Sequence, residues 1–281
     1  MHKKVTRLVA AFTLALTTAL PSGCSDTVQQ ENPKKIDYSL VPQVIAVIGD
    51  YGVGNRNEAK VAKMVHSFNP SLILSVGDNA YHHSGYERLV GRYYDEDIVA
   101  ATGNHDYLMG IKAWDEYFTP EVASRDFVYR AASNVDFFIL DSQAGLDSRN
   151  RRIHQKRWLL HQLAISDRTY KVVLFHHPSY SSSKHGSTPR YQWDFAAMGA
   201  DLVINGHDHT YERIRRGKMT YVVDGTGGAK LYKCGWKRVY GSKKCIDKYY
   251  GALFLYVNDY GIKGVFRTAS RVVLDSFTIE K

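Results

Sequence analysis

Residues 44–50, VIAVIGD, and residues 72–78, LILSVGD, decide how the chain folds. Each is a short apolar run stopped by Gly-Asp, the pattern of a strand buried on both faces. Between them, Asn57 to Phe68 places apolar residues at Ala59, Val61, Ala62, Met64, Val65 and Phe68, a helical spacing. The motif of a run with a polar ending recurs. Ile98–Thr102 ends in Gly-Asn, Val135–Leu140 in Asp141, Lys171–Phe175 in His-His-Pro, Leu202–Asn205 in Gly-His and Thr220–Val223 in Asp-Gly. Helical spacing is read over Gln155–Ile165 and Gln192–Met198. After Tyr250 the pattern is β only, with Ala252–Val257, Lys263–Arg267 and Val272–Ile279. Alternating strands and helices imply an α/β fold with parallel crossovers. The closing all-β stretch implies a second sheet or antiparallel edge strands, so the expected architecture is a two-sheet β sandwich flanked by helices. Ligands of open α/β sheets bind beyond the C-terminal ends of the strands. The polar endings should therefore converge.

Composition bounds the function. The chain has 281 residues, 44% hydrophobic and 23% charged, which excludes a disordered tail, a collagen-like repeat and a coiled coil. Residues 1–23 read as an export signal: His2, Lys3, Lys4 and Arg7 precede the apolar stretch Leu8 to Leu20, too short for the ~18–20 residues that span a bilayer. Pro21-Ser22-Gly23-Cys24 resembles a bacterial lipoprotein signal, with Pro21 departing from it. That implies a lipid on Cys24 and a periplasmic or cell-surface, membrane-tethered chain; ordinary cleavage with Cys24 left over is the alternative. Residues 24–42 read as a flexible tether and residues 43–281 as a single domain.

After residue 23 the chain holds 34 Lys+Arg against 28 Asp+Glu. A modest positive balance favours anionic ligands and membrane surfaces. Read as scattered surface charge, it does not imply nucleic acid as a specific target. Three Cys are too few for a disulfide framework. In an oxidising space, however, Cys234 and Cys245 are expected to pair and close the polar loop between them; two free thiols are the alternative.

The strand endings carry the chemistry: Gly49-Asp50-Tyr51-Gly52, Gly77-Asp78-Asn79-Ala80-Tyr81, Gly103-Asn104-His105-Asp106, Phe175-His176-His177-Pro178 and Gly206-His207-Asp208-His209. Carboxylate, phenol, imidazole and amide oxygen without thiolate form a hard-to-borderline donor set suited to Fe(III), Fe(II), Zn(II) or Mn(II). In this order the motifs resemble the calcineurin-like metallophosphoesterases. Within them they are similar to the purple acid phosphatases, above all the small, single-domain, tartrate-resistant type, over residues 43 to about 228. The broader family opens with Asp-x-His. Here Gly52 holds the third position, and Tyr81 stands where the purple phosphatases bind ferric iron.

The resemblance implies a four-layer metallophosphoesterase sandwich and two metal ions. Fe(III) at site 1 would take Asp50, Asp78, Tyr81 and His209. Fe(II), Zn(II) or Mn(II) at site 2 would take Asp78, Asn104, His176 and His207, with Asp78 bridging. It also implies hydrolysis of phosphate monoesters on small phosphorylated substrates by a metal-bound hydroxide. His105 and His185 would contact phosphate or protonate the leaving group, a role that suits imidazole. The alternatives are a phosphodiesterase or nucleotide pyrophosphatase on the same site, or a non-catalytic binding protein of this fold.

Each residue also has a plainer reading. Asp50 and Asp78 could cap helices, Tyr81 could pack in the core, and Asn104, His207 and His209 could shape turns. His176 is preferred over His177 because it directly follows Val-Leu-Phe. His82 and His83 are read as a solvated loop, and Tyr211-Glu212-Arg213 as fold support. Residues 230–249 are either a lid or a distant decoration.

Overall fold

Two sheets account for the apolar runs. The computed structural model describes residues 43–94, 98–118, 124–131 and 134–281. The segments expected to be an export signal and a tether, with Cys24, lie outside these residues. The first sheet begins with β1 (Gln43–Ile48), β2 (Leu72–Ser75) and β3 (Ile98–Ala100), paired in parallel. It is completed by β11 (Gly251–Asn258), β12 (Gly261–Thr268) and β13 (Val273–Ile279), giving the order β13-β12-β11-β1-β2-β3. The closing β stretch therefore makes no sheet of its own: β11 docks antiparallel against β1, with Ala46 opposite Phe254. The second sheet contains β4 (Phe127–Arg130), β5 (Val135–Ile139), β6 (Tyr170–Leu174), β7 (Leu202–Asn205), β8 (Tyr211–Arg216), β9 (Met219–Asp224) and β10 (Ser242–Ile246), in the order β10-β8-β9-β7-β6-β5-β4. Its centre, β5-β6-β7-β9, is parallel.

Alternation along each strand sets the layers. Ile45 and Val47 of β1 face the second sheet and share one core with Phe137, Val172, Leu174, Ile204 and Val222, whereas Ala46 and Ile48 face outward. The outward residues are covered by Val61, Met64 and Val65 of α1 (Arg56–His66) and by Trp114 of α2 (Asn104–Phe118). On the second sheet Phe138, Val173 and Val203 are covered by Leu159 and Leu163 of α4 (Arg149–Ile165), which follows the short α3 (Ser142–Asp147). Both faces of the strands are thus buried, which is why the runs are continuously apolar. The result is helix, sheet, sheet, helix.

Three local expectations are corrected. No element is read between Thr102 and Val135, yet α2 starts on Asn104 and β4 follows it. The helix is concealed because its opening turn holds the polar Asn104, His105 and Asp106 and its middle is interrupted at Gly110, with φ 104°. α4 begins at Arg149, not Gln155, because Ser148 caps it by accepting from the Arg151 N–H through a first turn of arginines and Asn150. Gln192–Met198 is not a helix. A single 3₁₀ turn at Pro189–Tyr191 precedes irregular turns that insert Trp193, Phe195 and Met198 into the outer core of the second sheet.

A polar bridge at the far edge helps tie the sheets together. The Arg213 guanidinium of β8 donates two bonds to Asp275 of β13, at 2.6 and 2.9 Å, and the Tyr211 hydroxyl donates a third at 2.9 Å. Asp275 is 8% exposed, so removing its carboxylate leaves a half-buried cation unpaired. The Asp275→Ala variant is expected to lose about 3 kcal/mol of stability, read by urea denaturation. An unchanged midpoint would show that the bridge is incidental.

Candidate metal centre

The strand ends of both sheets meet at one edge. β1 and β2 deliver Asp50 and Asp78, and β6 and β7 deliver His176, His207 and His209. Backbone bonds knit the loops: Asp50 N–H donates to Gly77 O at 3.1 Å, Gly206 N–H to His176 O at 2.9 Å and Tyr81 N–H to Gly52 O at 2.8 Å. Asp50, Asp78 and His207 all have positive φ, of 56°, 54° and 70°. Non-glycine residues hold that region only where their surroundings enforce it, and such strain gathers at functional sites. The glycines of the motifs permit the crowding. A Cβ on Gly206 would stand 2.7 Å from Asp50 Oδ2, and one on Gly103 would overlap the Asp78 carboxylate.

The candidate ligands fall into two adjoining groups. In the first, the Tyr81 hydroxyl lies 3.1 Å from Asp50 Oδ1 and 3.0 Å from His209 Nε2, and that nitrogen is 3.3 Å from Asp50 Oδ1. In the second, His176 Nε2 lies 3.1 Å from Asn104 Oδ1, 3.2 Å from His207 Nδ1 and 3.4 Å from Asp78 Oδ2. Ligand atoms of Asp50, Asp78 and His176 lie within 4.8 Å of one another, which joins the groups. Donors at about 2.0–2.2 Å from a shared cation stand roughly 3.0–3.4 Å apart by geometry alone, and these separations match.

The lone pairs also face inward. His176 Nδ1 donates to Val76 O at 2.9 Å and His209 Nδ1 to Lys230 O at 2.8 Å, so each Nε2 is left as a donor to a metal. Such outer bonds fix tautomer and ring orientation. His176 Nε2 then confronts the oxygens of Asn104 and Asp78, a repulsion that a cation or a proton relieves.

Burial and neighbouring charges bias the protonation of these groups. Burial lowers the His176 pKa, but the charge and hydrogen bond of Asp78 outweigh it and raise the group to about 9. Burial raises Asp78, yet His176 and then His105 hold its carboxyl well below the usual range. Burial, with the charges of Asp50 and Asp78, pushes the Tyr81 phenol well above its ordinary value, so phenolate there requires a cation. Burial and the neighbouring His176 depress His207 strongly, so its ring stays neutral and free to ligate. In chemistry and spacing the residues fit two cations.

His105 and His185 flank the groups on different sides. The His105 ring lies 4.2 Å from that of Tyr81, and the His105 backbone N–H donates to Asp78 Oδ1 at 2.8 Å. The His185 ring lies 4.2 Å from that of His207, and burial lowers its pKa. His177 packs 4.5 Å from the His207 ring and is bonded to Ser142 Oγ; burial and His176 bring it down to about 3. His82 is exposed and bonds Ser84 in its own loop and Val53 O in the loop after β1, and His83 is exposed too.

Sequence reasoning assigned no role to three residues that matter here. Asp106 is wholly buried and accepts from Gly103 N–H, from Asn79 N–H and its amide, and from the Tyr86 hydroxyl, which joins the Asp78 loop to the Asn104 loop. Asp208, between two candidate ligands, accepts from the His185 and Gly186 N–H groups and the Ser181 hydroxyl, which places the His185 loop. Tyr232 stacks on His209, with ring centroids 4.1 Å apart and planes at 11°. Asp106 and Asp208 were visible inside the motifs. Tyr232 had no motif to mark it.

Comparison with known proteins agrees with this geometry. The family model described as calcineurin-like phosphoesterase matches residues 44–211. Purple acid phosphatase 7 of Arabidopsis thaliana is 26% identical over 298 residues, spanning 88% of this chain and 88% of the relative. Among solved structures, the purple acid phosphatase PPD1 of yellow lupin (Lupinus luteus) superposes with a TM-score of 0.67 at 19% identity, over 85% of this chain and 53% of that one. GAP50, described as the anchor in the inner membrane complex of Plasmodium, superposes with a TM-score of 0.74 at 19% identity, over 85% and 89% of the two chains. These structural likenesses are ones of fold.

Asp106 tests whether the bracing matters. The Asp106→Ala variant is expected to weaken metal affinity by about 10- to 100-fold, as loss of an outer bond to a ligand loop does. Isothermal titration of the metal-stripped protein with Zn(II) reads this. Wild-type affinity in the folded variant would mean that the two loops hold themselves.

Proposed function

The chain belongs to the calcineurin-like phosphoesterase family, and on that premise we propose that it hydrolyses phosphate monoesters at a two-metal centre of the purple acid phosphatase kind. That it is a metal-dependent hydrolase of phosphoric esters follows from its relatives. The finer reading is supported by one observation above all: Tyr81 O lies within 3.1 Å of both Asp50 Oδ1 and His209 Nε2. A phenol in that position suits a hard, highly charged ion.

Site 1 would then hold Fe(III) on Asp50, Asp78, Tyr81 and His209. Site 2 would hold Fe(II), Zn(II) or Mn(II) on Asp78, Asn104, His176 and His207. Fe(3+)–Zn(2+) is the pairing named for one Arabidopsis thaliana relative, 27% identical to this chain. When bound, the pair supplies Lewis-acid polarisation of the phosphoryl group and acidifies water for in-line attack.

The chain's own residues do the rest. Asp50 and Asp78, each fixed by a backbone N–H from an opposing loop, set the spacing of the two sites. The buried walls exclude bulk water from the donors, which strengthens every charge interaction there. His105, beside Tyr81, would bind a phosphoryl oxygen and give a proton to the departing oxygen. His185, beside His207, would hold a second phosphoryl oxygen. The export signal and the Cys24 motif support action outside the cytoplasm. Among the described residues no helix is long and apolar enough to cross a membrane.

The expected result is hydrolysis of p-nitrophenyl phosphate in preference to bis-p-nitrophenyl phosphate, lost on chelation. Visible absorption from a ferric phenolate should accompany it and vanish in Tyr81→Phe. A colourless enzyme whose Tyr81→Phe variant keeps its metal and activity would reject the ferric site while leaving the family intact; faster turnover of the diester would reject monoester specificity. His105→Ala is expected to lower kcat by about 10²–10⁴-fold, as removal of a positioned proton donor does. Metal content, measured alongside, should not change.

A further inference from the structure

Charge is distributed very unevenly along this chain. Residues 230–248 contain seven Lys and Arg and a single acid, Asp247, while the other residues after position 23 contain 27 Lys and Arg and 27 Asp and Glu. The whole positive excess beyond the export signal therefore resides in one loop. It is not scattered. Lys230, Lys233, Lys237, Arg238, Lys243, Lys244 and Lys248 are all exposed. Asp247 neutralises only one of these seven cations.

Aromatic rings share this surface. Trp236 is 96% exposed and Tyr240 82% exposed. Leaving an indole in water wastes its burial, and an aromatic surface set among cations marks an interaction site. The loop is also held rigidly. Cys234 and Cys245 are bonded to each other, and β10 within the loop pairs with β8 as the edge strand of the second sheet. Gly235 N–H donates to Ser182 O at 2.7 Å, and Val239 N–H to Ser182 Oγ at 2.9 Å. Ser182 itself is pinned by Glu212 through its N–H and hydroxyl. A loop tied at so many points loses little entropy on binding.

We propose that this disulfide-closed basic loop docks the protein on an anionic phospholipid surface, with Lys and Arg on headgroup phosphates and Trp236 at the interface. The shape decides between occupants. A small anion needs a concave site, whereas Trp236 stands almost wholly in solvent. A single-stranded nucleic acid needs successive free ring faces along a groove. Here the Arg216 guanidinium already lies over the Tyr240 ring, 5.6 Å from its centroid, so that ring is not a free face beside Trp236. Clustered cations with an interfacial Trp are the pairing that anionic membranes attract. A lipid on Cys24, as the sequence implies, would supply the second attachment that stable anchoring requires.

Docking also places the catalytic edge. Tyr232, at the root of the loop, stacks on His209, and Lys184 Nζ lies 4.6 Å from the Tyr232 ring centroid. A bilayer held by the loop therefore lies beside the metal centre, where phosphate esters at a membrane surface would reach it.

The test uses the purified full chain and vesicles of phosphatidylcholine alone or mixed in equal amounts with phosphatidylglycerol, separated by flotation. Wild type is expected to bind the mixed vesicles and to be released by rising salt. Combined reversal of Lys237, Arg238, Lys243 and Lys244 to Glu should lower that binding by at least ~10-fold, since each cation near such a surface contributes about fivefold at low salt. Trp236→Ala should lower it severalfold. Both variants should keep full activity on p-nitrophenyl phosphate, which confirms folding and separates docking from hydrolysis. Comparison within one full-length chain cancels any contribution from residues 1–42. Equal vesicle binding by wild type and the charge-reversed variant overturns the proposal, as does failure of wild type to bind. Tighter binding of wild type to a single-stranded oligonucleotide than to mixed vesicles, abolished by the same variants, reassigns the surface and overturns it equally.

Discussion

The centre depends on backbone N–H groups reaching across to buried carboxylates. His207 N–H donates to Asp50 Oδ2 at 2.9 Å, and His105 N–H to Asp78 Oδ1 at 2.8 Å. In each case the amide belongs to a different loop from the acid. Asp50 comes from the first sheet and His207 from the second, so this bond closes the edge where the two sheets meet. The same device recurs one layer out, with Asp106 joining the loops after β2 and β3 and Asp208 holding the loop that carries His185. A carboxylate that accepts N–H bonds tolerates burial because its charge is solvated by fixed dipoles. The chain can thus bury acids at this edge and leave each with an oxygen facing a cation.

That bracing explains why strained residues coincide with candidate ligands. Asp50, Asp78 and His207 adopt left-handed φ, which costs of order 1–3 kcal/mol each. Their side chains would otherwise follow the strand pleat into the apolar layers. Turning the backbone at the strand end redirects them to the rim. The following or preceding glycine leaves room for the neighbouring loop, as at Gly103 against Asp78 and Gly206 against Asp50. Strain, glycine and ligand are therefore one local solution, repeated at several strand ends and sustained by the two buried sheets beneath.

Much of this was legible in the sequence because it is local. An apolar run with Gly-Asp, Gly-Asn or Gly-His at its end names both a strand and its donor, and parallel strands carry their ends to one side. Non-local features were harder to read. Nothing in residues 252–279 says that β11 pairs with β1 rather than starting a new sheet; that depends on which edge is free. α2 was hidden because the residues of its first turn are needed at the centre and not in the core. Tyr232 lies 23 positions after His209 with no spacing rule to connect them, and only the approach of the loop to the β8 edge brings the rings together. The charge of residues 230–248 is written in the sequence, but that an exposed Trp236 stands among those cations is visible only in the structure.

The cross-bracing also determines what the metals contribute. Amide donors and sheet pairing hold the ligand atoms at separations suited to coordination. The ligands are thus braced by the fold as well as by any cation, unlike in small domains that order only around their metal. What opposes loading is the proton that Asp78 draws onto His176. Because that proton sits on the nitrogen facing Asp78 and Asn104, it occupies the place a cation would take, and the two compete directly. The same carboxylate thus attracts the metal and sustains its competitor. A proton on His176 and a cation beside Asp78 are therefore mutually exclusive occupants of one place.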